Sequence, residues 1–219
     1  GTSLISGLND YYMESSYGRS GFYLNGQGSV ITTTLRMPQT AAYYGANDAF
    51  LQLRSDARAA ATTAGYTLAD YDYDLICFGN VPGWGWAGLG YVGAAGVWLR
   101  SYFTVGVAGH ELGHNYGLNH ANFWDTGGQS VIGAGSSVEY GDTQDTMGSA
   151  NGGSYHFNAR YKNYMNWLRA EEVTNVTVNG VLFRSMSTIG TAGPNGVTIT
   201  QSVTSPSTAP VSFSFSNNP

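Results

Sequence analysis

Lysine is almost missing from this chain: Lys162 is the only one among 219 residues, and the other eight cations are arginines. Charged residues make up 11% in all, against roughly 25% in an average soluble protein. Nucleic-acid binders displace counterions from phosphates with several clustered cations. A net charge of −5 and no basic cluster therefore argue against a nucleic-acid partner. No apolar run reaches the roughly 18 residues that a membrane-spanning helix needs. The nearest stretch, residues 84–99, is interrupted by glycines and reads as strand and turn. Cys77 is the only cysteine, so no disulfide forms within the chain. Flanked by Leu75, Ile76 and Phe78, it reads as a small buried residue of a strand. The chain starts at Gly1 without a leader and reads as a mature or trimmed form. With so little charge, its surface must be built from Ser, Thr, Asn, Gly and Tyr, a composition that suits a secreted, extracellular protein.

Apolar material is plentiful, at 42% hydrophobic and 14% aromatic, enough for one good-sized domain with a small appendage. Leu4, Ile5, Leu8, Tyr11 and Tyr12 follow a helical spacing over residues 3–15. Residues 21–35 read as two extended segments hinged at Asn25-Gly26. Residues 47–63 form the strongest helix by propensity, capped by Asn47 or Asp48 and stopped by Gly65. A strand is expected at residues 75–78 and helices at 101–116 and 158–170. Between them, residues 119–153 lack periodicity, and a loop region of that length is expected to be functional or tied down. Beyond Val173 charge nearly vanishes, and Asn179-Gly180 signals a hairpin. The expected organisation is a catalytic domain over 1–170, with an upper half at 1–117 and a lower half at 118–170. A β-rich segment follows at 171–219.

Chemistry concentrates in Gly109-His-Glu-Leu-Gly-His-Asn-Tyr-Gly-Leu-Asn-His120, which holds three of the four histidines. Residues four apart share a helix face, so His110 and His114 can converge on one ion. A third ligand six residues further on must leave that helix. Gly117 supplies the break, because glycine takes positive φ without a Cβ penalty and lets His120 return towards the ion. Three imidazoles with one position left open make the tetrahedral arrangement of catalytic zinc. Glu111 lies off the shared face, where its carboxylate can reach a water in that open position and act as general base.

The pattern HExxHxxGxxH resembles the hallmark of the metzincin metallopeptidases, which also carry a methionine in a tight turn beneath the metal. Asp145-Thr-Met-Gly-Ser149 supplies Met147 for that turn. Within the class the chain is most similar to the gametolysin-type peptidases. The shared features include Asn9-Asp-Tyr-Tyr12, Ala87-Gly-Leu-Gly-Tyr-Val-Gly93, Leu118-Asn-His-Ala121, Glu139-Tyr-Gly-Asp142 and Phe157-Asn-Ala159, over roughly residues 3–170. The resemblance implies an α+β, zincin-like catalytic domain with a twisted mixed sheet, an active-site helix and a loop-rich C-terminal half, followed by the small β tail. It implies one catalytic zinc on His110, His114 and His120, with Glu111 catalytic. Two departures stand out. Some metzincins carry a tyrosine two residues after the turn methionine, where this chain has Ser149, leaving Tyr155 as a weak substitute. The family's first core strand also precedes its first helix, whereas this chain opens on the helix.

In metzincins an edge strand ahead of the active-site helix pairs with the extended substrate, and residues 89–97 match that stretch. Its glycines would let another backbone approach. Residues 122–146 are expected to wall the pocket for the substrate side chain after the scissile bond. Asp125, Glu139, Asp142 and Asp145 could gather round calcium, but their spacing fits no calcium loop, and local capping is the expected role. His156 is expected to be structural or exposed. Three functions remain open: a secreted endopeptidase acting on extracellular or cell-wall proteins, a zinc hydrolase of a specialised non-protein substrate, and a wall- or matrix-binding protein with an inactive protease-like domain. Oligomeric state is open as well.

Overall fold

The spacing of Leu4, Leu8, Tyr11 and Tyr12 becomes the buried face of helix α1 (Thr2–Ser15). The computed structural model of the chain describes residues 1–22, 28–128, 133–149, 156–170, 173–176, 196–201 and 211–216. After α1 come helices α2 (Ala41–Ala46) and α3 (Phe50–Thr63), strands β1 (Leu75–Phe78), β2 (Gly88–Gly90) and β3 (Val97–Arg100), and helix α4 (Val105–Asn115). Strands β4 (Phe123–Asp125) and β5 (Ser136–Val138), helix α5 (Ala159–Tyr164) and strands β6 (Val173–Val176), β7 (Gly196–Gln201) and β8 (Val211–Ser216) complete the order.

The first sheet is mixed and ordered β1-β3-β2, with β3 parallel to β1 and antiparallel to β2. Successive side chains of a strand point to opposite faces, so β3 divides the core between two sides. Val97 and Leu99 join Leu8, Tyr12, Leu112, Met147 and Phe157 on the face of α1 and α4. Trp98 points the other way, into Tyr44, Leu53, Val81 and Trp84 on the side of α2 and α3. All three of these β3 side chains are fully buried, each contributing about 1.5–3 kcal/mol of transfer free energy. Arg54 fastens α3 to the start of β1 by a two-pronged pair with Asp74, at 2.6 and 3.0 Å. Two further sheets are small: β4-β5 is an antiparallel pair, and β6-β7-β8 is a mixed three-stranded sheet. The architecture is thus α+β, with a mixed sheet as expected.

Several local expectations shift. Residues 28–35 join no sheet among the described residues, and the Asn25-Gly26 hinge lies outside them. The long helix expected from residue 47 starts at Phe50, because Asp48 takes a φ of 45° and separates it from α2. The separate α2 is capped by Thr40, whose side chain accepts the Tyr43 N–H. Helix α4 starts at Val105 and not at 101. Ser101 sits at φ 63°, and Thr104 provides the cap by accepting from the Val107 N–H at 3.3 Å. Helix α5 ends at Tyr164, just before Asn166 at φ 57°. Cys77 is exposed, correcting the expectation of a buried strand residue: β1 lies at the margin of the sheet, where the packing over Leu75 and Leu99 does not extend to cover it. The hairpin expected at Asn179-Gly180 lies outside the described residues.

Candidate metal centre

Helix α4 runs beneath β2, and its contact with that strand depends on glycine. A Cβ on Gly88 would meet the Glu111 side chain at 2.5–2.9 Å, and one on Gly90 would strike the Glu111 backbone. The close approach expected of these glycines is therefore made by the helix itself. Of the expected edge segment 89–97, only Leu89 and Gly90 lie in the edge strand β2. Residues 91–96 turn back, and Val97 belongs to the central strand. Asn115 secures this turn: its amide donates to the carbonyls of Tyr91 (3.0 Å) and Gly96 (3.1 Å), and its oxygen accepts the Gly96 N–H. From the other side, the Tyr12 hydroxyl donates to the Gly109 carbonyl at 2.9 Å.

The end of α4 is a Schellman motif. Gly117 N–H donates to the His114 carbonyl and Leu118 N–H to that of Gly113, with Gly117 at φ 95°. The chain reverses there, and His120 comes back over the helix. Its position is then tied down: Ala121 N–H donates to the Met147 carbonyl, and Tyr161 Oη donates to the carbonyls of Asn119 and His120. The turn at Asp145–Gly148 is closed by Gly148 N–H on the Asp145 carbonyl, while the Asp145 carboxylate accepts the Met147 and Asn158 N–H groups. Met147 is fully buried under α4, against Gly113. The Thr146 hydroxyl meets that of Tyr11, so α1 braces the turn.

These elements bring His110, His114 and His120 together, each offering a ligand atom within 4.8 Å of the others. Their ring centroids form a triangle of 4.9, 5.0 and 5.4 Å. Each Nδ1 is engaged elsewhere: His110 with the Thr146 carbonyl (2.8 Å), His114 with the Leu118 carbonyl (2.7 Å) and His120 with the Glu139 carboxylate (2.7 Å). Acceptors on all three Nδ1 atoms make these the protonated nitrogens and leave each Nε2 lone pair for a metal. Three imidazole nitrogens suit zinc. Burial, with the neighbouring histidines adding to it, pushes His110 down to about 4 despite the opposing Thr146 bond. His114 is lowered as well, chiefly by burial. Both are therefore neutral near pH 7, the form a metal requires. Burial also raises the Glu111 carboxyl to about 8; beside a bound dication such a group is drawn back towards ionisation.

Other expected residues fall elsewhere. The four carboxylates considered for calcium do not converge: Asp125 accepts Gly127 N–H, Asp142 accepts Gln144 N–H, Asp145 caps its own turn, and Glu139 holds His120. Among the described residues, the three histidines are the one such metal-capable group. His156 is largely buried near Tyr11, in a structural place, with Glu14 at 3.5 Å. Ser149 donates its N–H to the Asp142 carbonyl, and Tyr155 lies outside the described residues. One aromatic residue had not been singled out. Tyr140 lies with its ring 3.8 Å from that of His120 and 6.0 Å from that of His110. Its trace in the sequence is the shared segment Glu139-Tyr-Gly-Asp142, which carried no role for the tyrosine.

A match to known proteins covers most of the chain: residues 2–193 fit the family model described as Gametolysin peptidase M11. The fit runs past residue 170, where the visible resemblance ended. No curated protein and no solved structure matches the chain.

Proposed function

The chain belongs to the gametolysin peptidase M11 family of zinc metallopeptidases, and from that premise we propose that it is a secreted zinc-dependent endopeptidase of the metzincin class. The observation that carries the proposal is the convergence of His110, His114 and His120, with Nδ1 engaged on each ring. In this reading the three Nε2 atoms hold one zinc. When bound, the ion supplies Lewis-acid polarisation of a carbonyl and a water made acidic near neutral pH.

The chain's own residues account for the remaining chemistry. Glu111 sits between α4 and β2, with the glycines of β2 leaving room for its carboxylate. It takes the proton of the attacking water and passes it to the departing amine, so no free hydroxide or amide ion forms. Its burial keeps bulk water from competing for that proton. Strand β2 is the margin of the mixed sheet and offers main-chain groups to an extended peptide by strand addition. The β4-β5 hairpin carries exposed Phe123, Trp124 and Val138 and forms a wall for the side chain after the scissile bond. The substrates proposed are extracellular or cell-wall proteins.

Metal analysis combined with cleavage of denatured proteins tests this reading. The expected result is about one zinc per chain and broad cleavage that a chelator abolishes and zinc restores. Zinc without peptide cleavage would favour a non-peptide substrate. Absence of zinc affinity would overturn the enzymatic reading.

A further inference from the structure

The three histidines are not held alike. His110 and His114 stand on a helix and donate Nδ1–H to backbone carbonyls. His120 stands in the loop beyond α4, and its Nδ1–H meets a carboxylate, that of Glu139, at 2.7 Å. A charged acceptor gives a stronger hydrogen bond than a neutral carbonyl, fixes the tautomer and makes the imidazole a better donor to a metal. Glu139 is itself 67% exposed, so an ordinary surface ion pair at this place would matter little to folding. The next residue closes over the same ring: Tyr140 lies 3.8 Å from His120, centroid to centroid.

Tyr140 is fixed there by its backbone. Its φ of 58° lies in the left-handed region that non-glycine residues rarely adopt. Its N–H donates to Asn122 Oδ1 at 3.1 Å, and the following Gly141 N–H donates to the Val138 carbonyl. Asn122 precedes β4 and Val138 ends β5, so the conformation is built by the hairpin. These two hydrogen bonds hold the strained backbone in place and with it the ring over His120.

We propose that Glu139 and Tyr140 form a clamp on the third metal ligand. Glu139 is the positioning residue that sets the His120 tautomer, and Tyr140 packs the ring, so zinc retention depends on the β4-β5 hairpin. The proposal rests on the zinc reading above. Its consequence is that a surface carboxylate governs metal affinity without governing the stability of the metal-free fold.

The test measures zinc affinity by competition with a chromogenic chelator, alongside the melting temperature of each metal-stripped protein. Glu139→Gln and Glu139→Ala should weaken zinc binding by roughly 10- to 100-fold, with the metal-free melting temperature unchanged. Tyr140→Phe should retain affinity and Tyr140→Ala should lose it, since the ring does the packing. Asp125→Asn, which removes a charge from the same hairpin, should leave affinity intact. Wild-type affinity in both Glu139 variants, or an equal loss in Asp125→Asn, overturns the clamp alone. A wild-type chain that binds no zinc overturns the metal reading and the clamp with it.

Discussion

Gly113 of α4 faces Met147 so closely that a Cβ at position 113 would overlap the methionine sulfur, and it would also stand 2.9 Å from Cε1 of Phe157. The histidine-bearing helix and the turn beneath it are thereby in direct contact. Thr146, next to Met147, presents the carbonyl that holds His110. A methyl group at position 113 must push these two layers apart.

Gly113→Ala is therefore expected to destabilise the protein by about 1–3 kcal/mol, the usual cost of overpacking a filled core, and to weaken zinc binding through the displaced Thr146 carbonyl. Denaturant midpoints and a chelator competition check both effects. A variant with wild-type stability and affinity contradicts the packing described.

Asn115 carries a second prediction, because its side chain joins α4 to the turn between β2 and β3 by three hydrogen bonds. Asn115→Ala takes away the acceptor of the buried Gly96 N–H and the donor to the Tyr91 carbonyl, while the Gly96 carbonyl keeps the Tyr91 N–H, at a cost of about 1–3 kcal/mol. It should also loosen the edge strand and raise KM for long peptides more than for short ones. Thermal unfolding and a comparison of peptide lengths measure the two consequences. Equal KM changes at every length would contradict a role for β2 in binding extended substrate.

The expected helical spacing of α1, the strand at Leu75–Phe78 and the histidine motif were all legible in the sequence, because each is a local pattern. Gly117 was legible for a physical reason too: a third ligand cannot stay on the helix, and the Schellman motif at Gly117 is how the chain leaves it. The hidden parts are set by tertiary contact. Asp48 is a residue type that tolerates positive φ, but in the sequence it reads equally well as a cap, and nothing local marks Ser101 for the φ of 63° that it takes ahead of α4. The β4-β5 hairpin uses three-residue strands of mixed polarity joined by a long connection over 126–135, so residues 119–153 read as loop. Glu139 looked like one carboxylate among four because its partner, His120, lies 19 positions away. The Thr146 and Leu118 carbonyls leave no trace in side-chain identity at all.

The single lysine gives a prediction in pH. Lys162 is fully buried, and burial pushes its ammonium down to about 8, with Glu14 and Asp145 opposing the shift. The folded-state pKa lies below the unfolded value of 10.5, so the unfolded chain binds more protons between these two values and stability rises with pH across that window. Below it, the desolvation cost is borne in full. Lys162→Met removes the titration, so the stability difference between wild type and variant should move in the wild type's favour from about pH 7 to about pH 9.5. Urea midpoints at the two pH values check this, and a constant difference contradicts it.

The central claim is that the three histidines hold a metal while Glu111 handles the proton. Glu111→Gln keeps the size and place of the side chain between α4 and β2 and removes only its basicity. The measurement is zinc content and peptide turnover on the same purified Glu111→Gln sample, beside wild type. The account predicts zinc bound as in wild type, with turnover lower by roughly 10²- to 10⁴-fold. Zinc retained with near wild-type turnover would contradict the role given to Glu111, and a wild-type chain that cleaves peptides without zinc would contradict the metal centre itself.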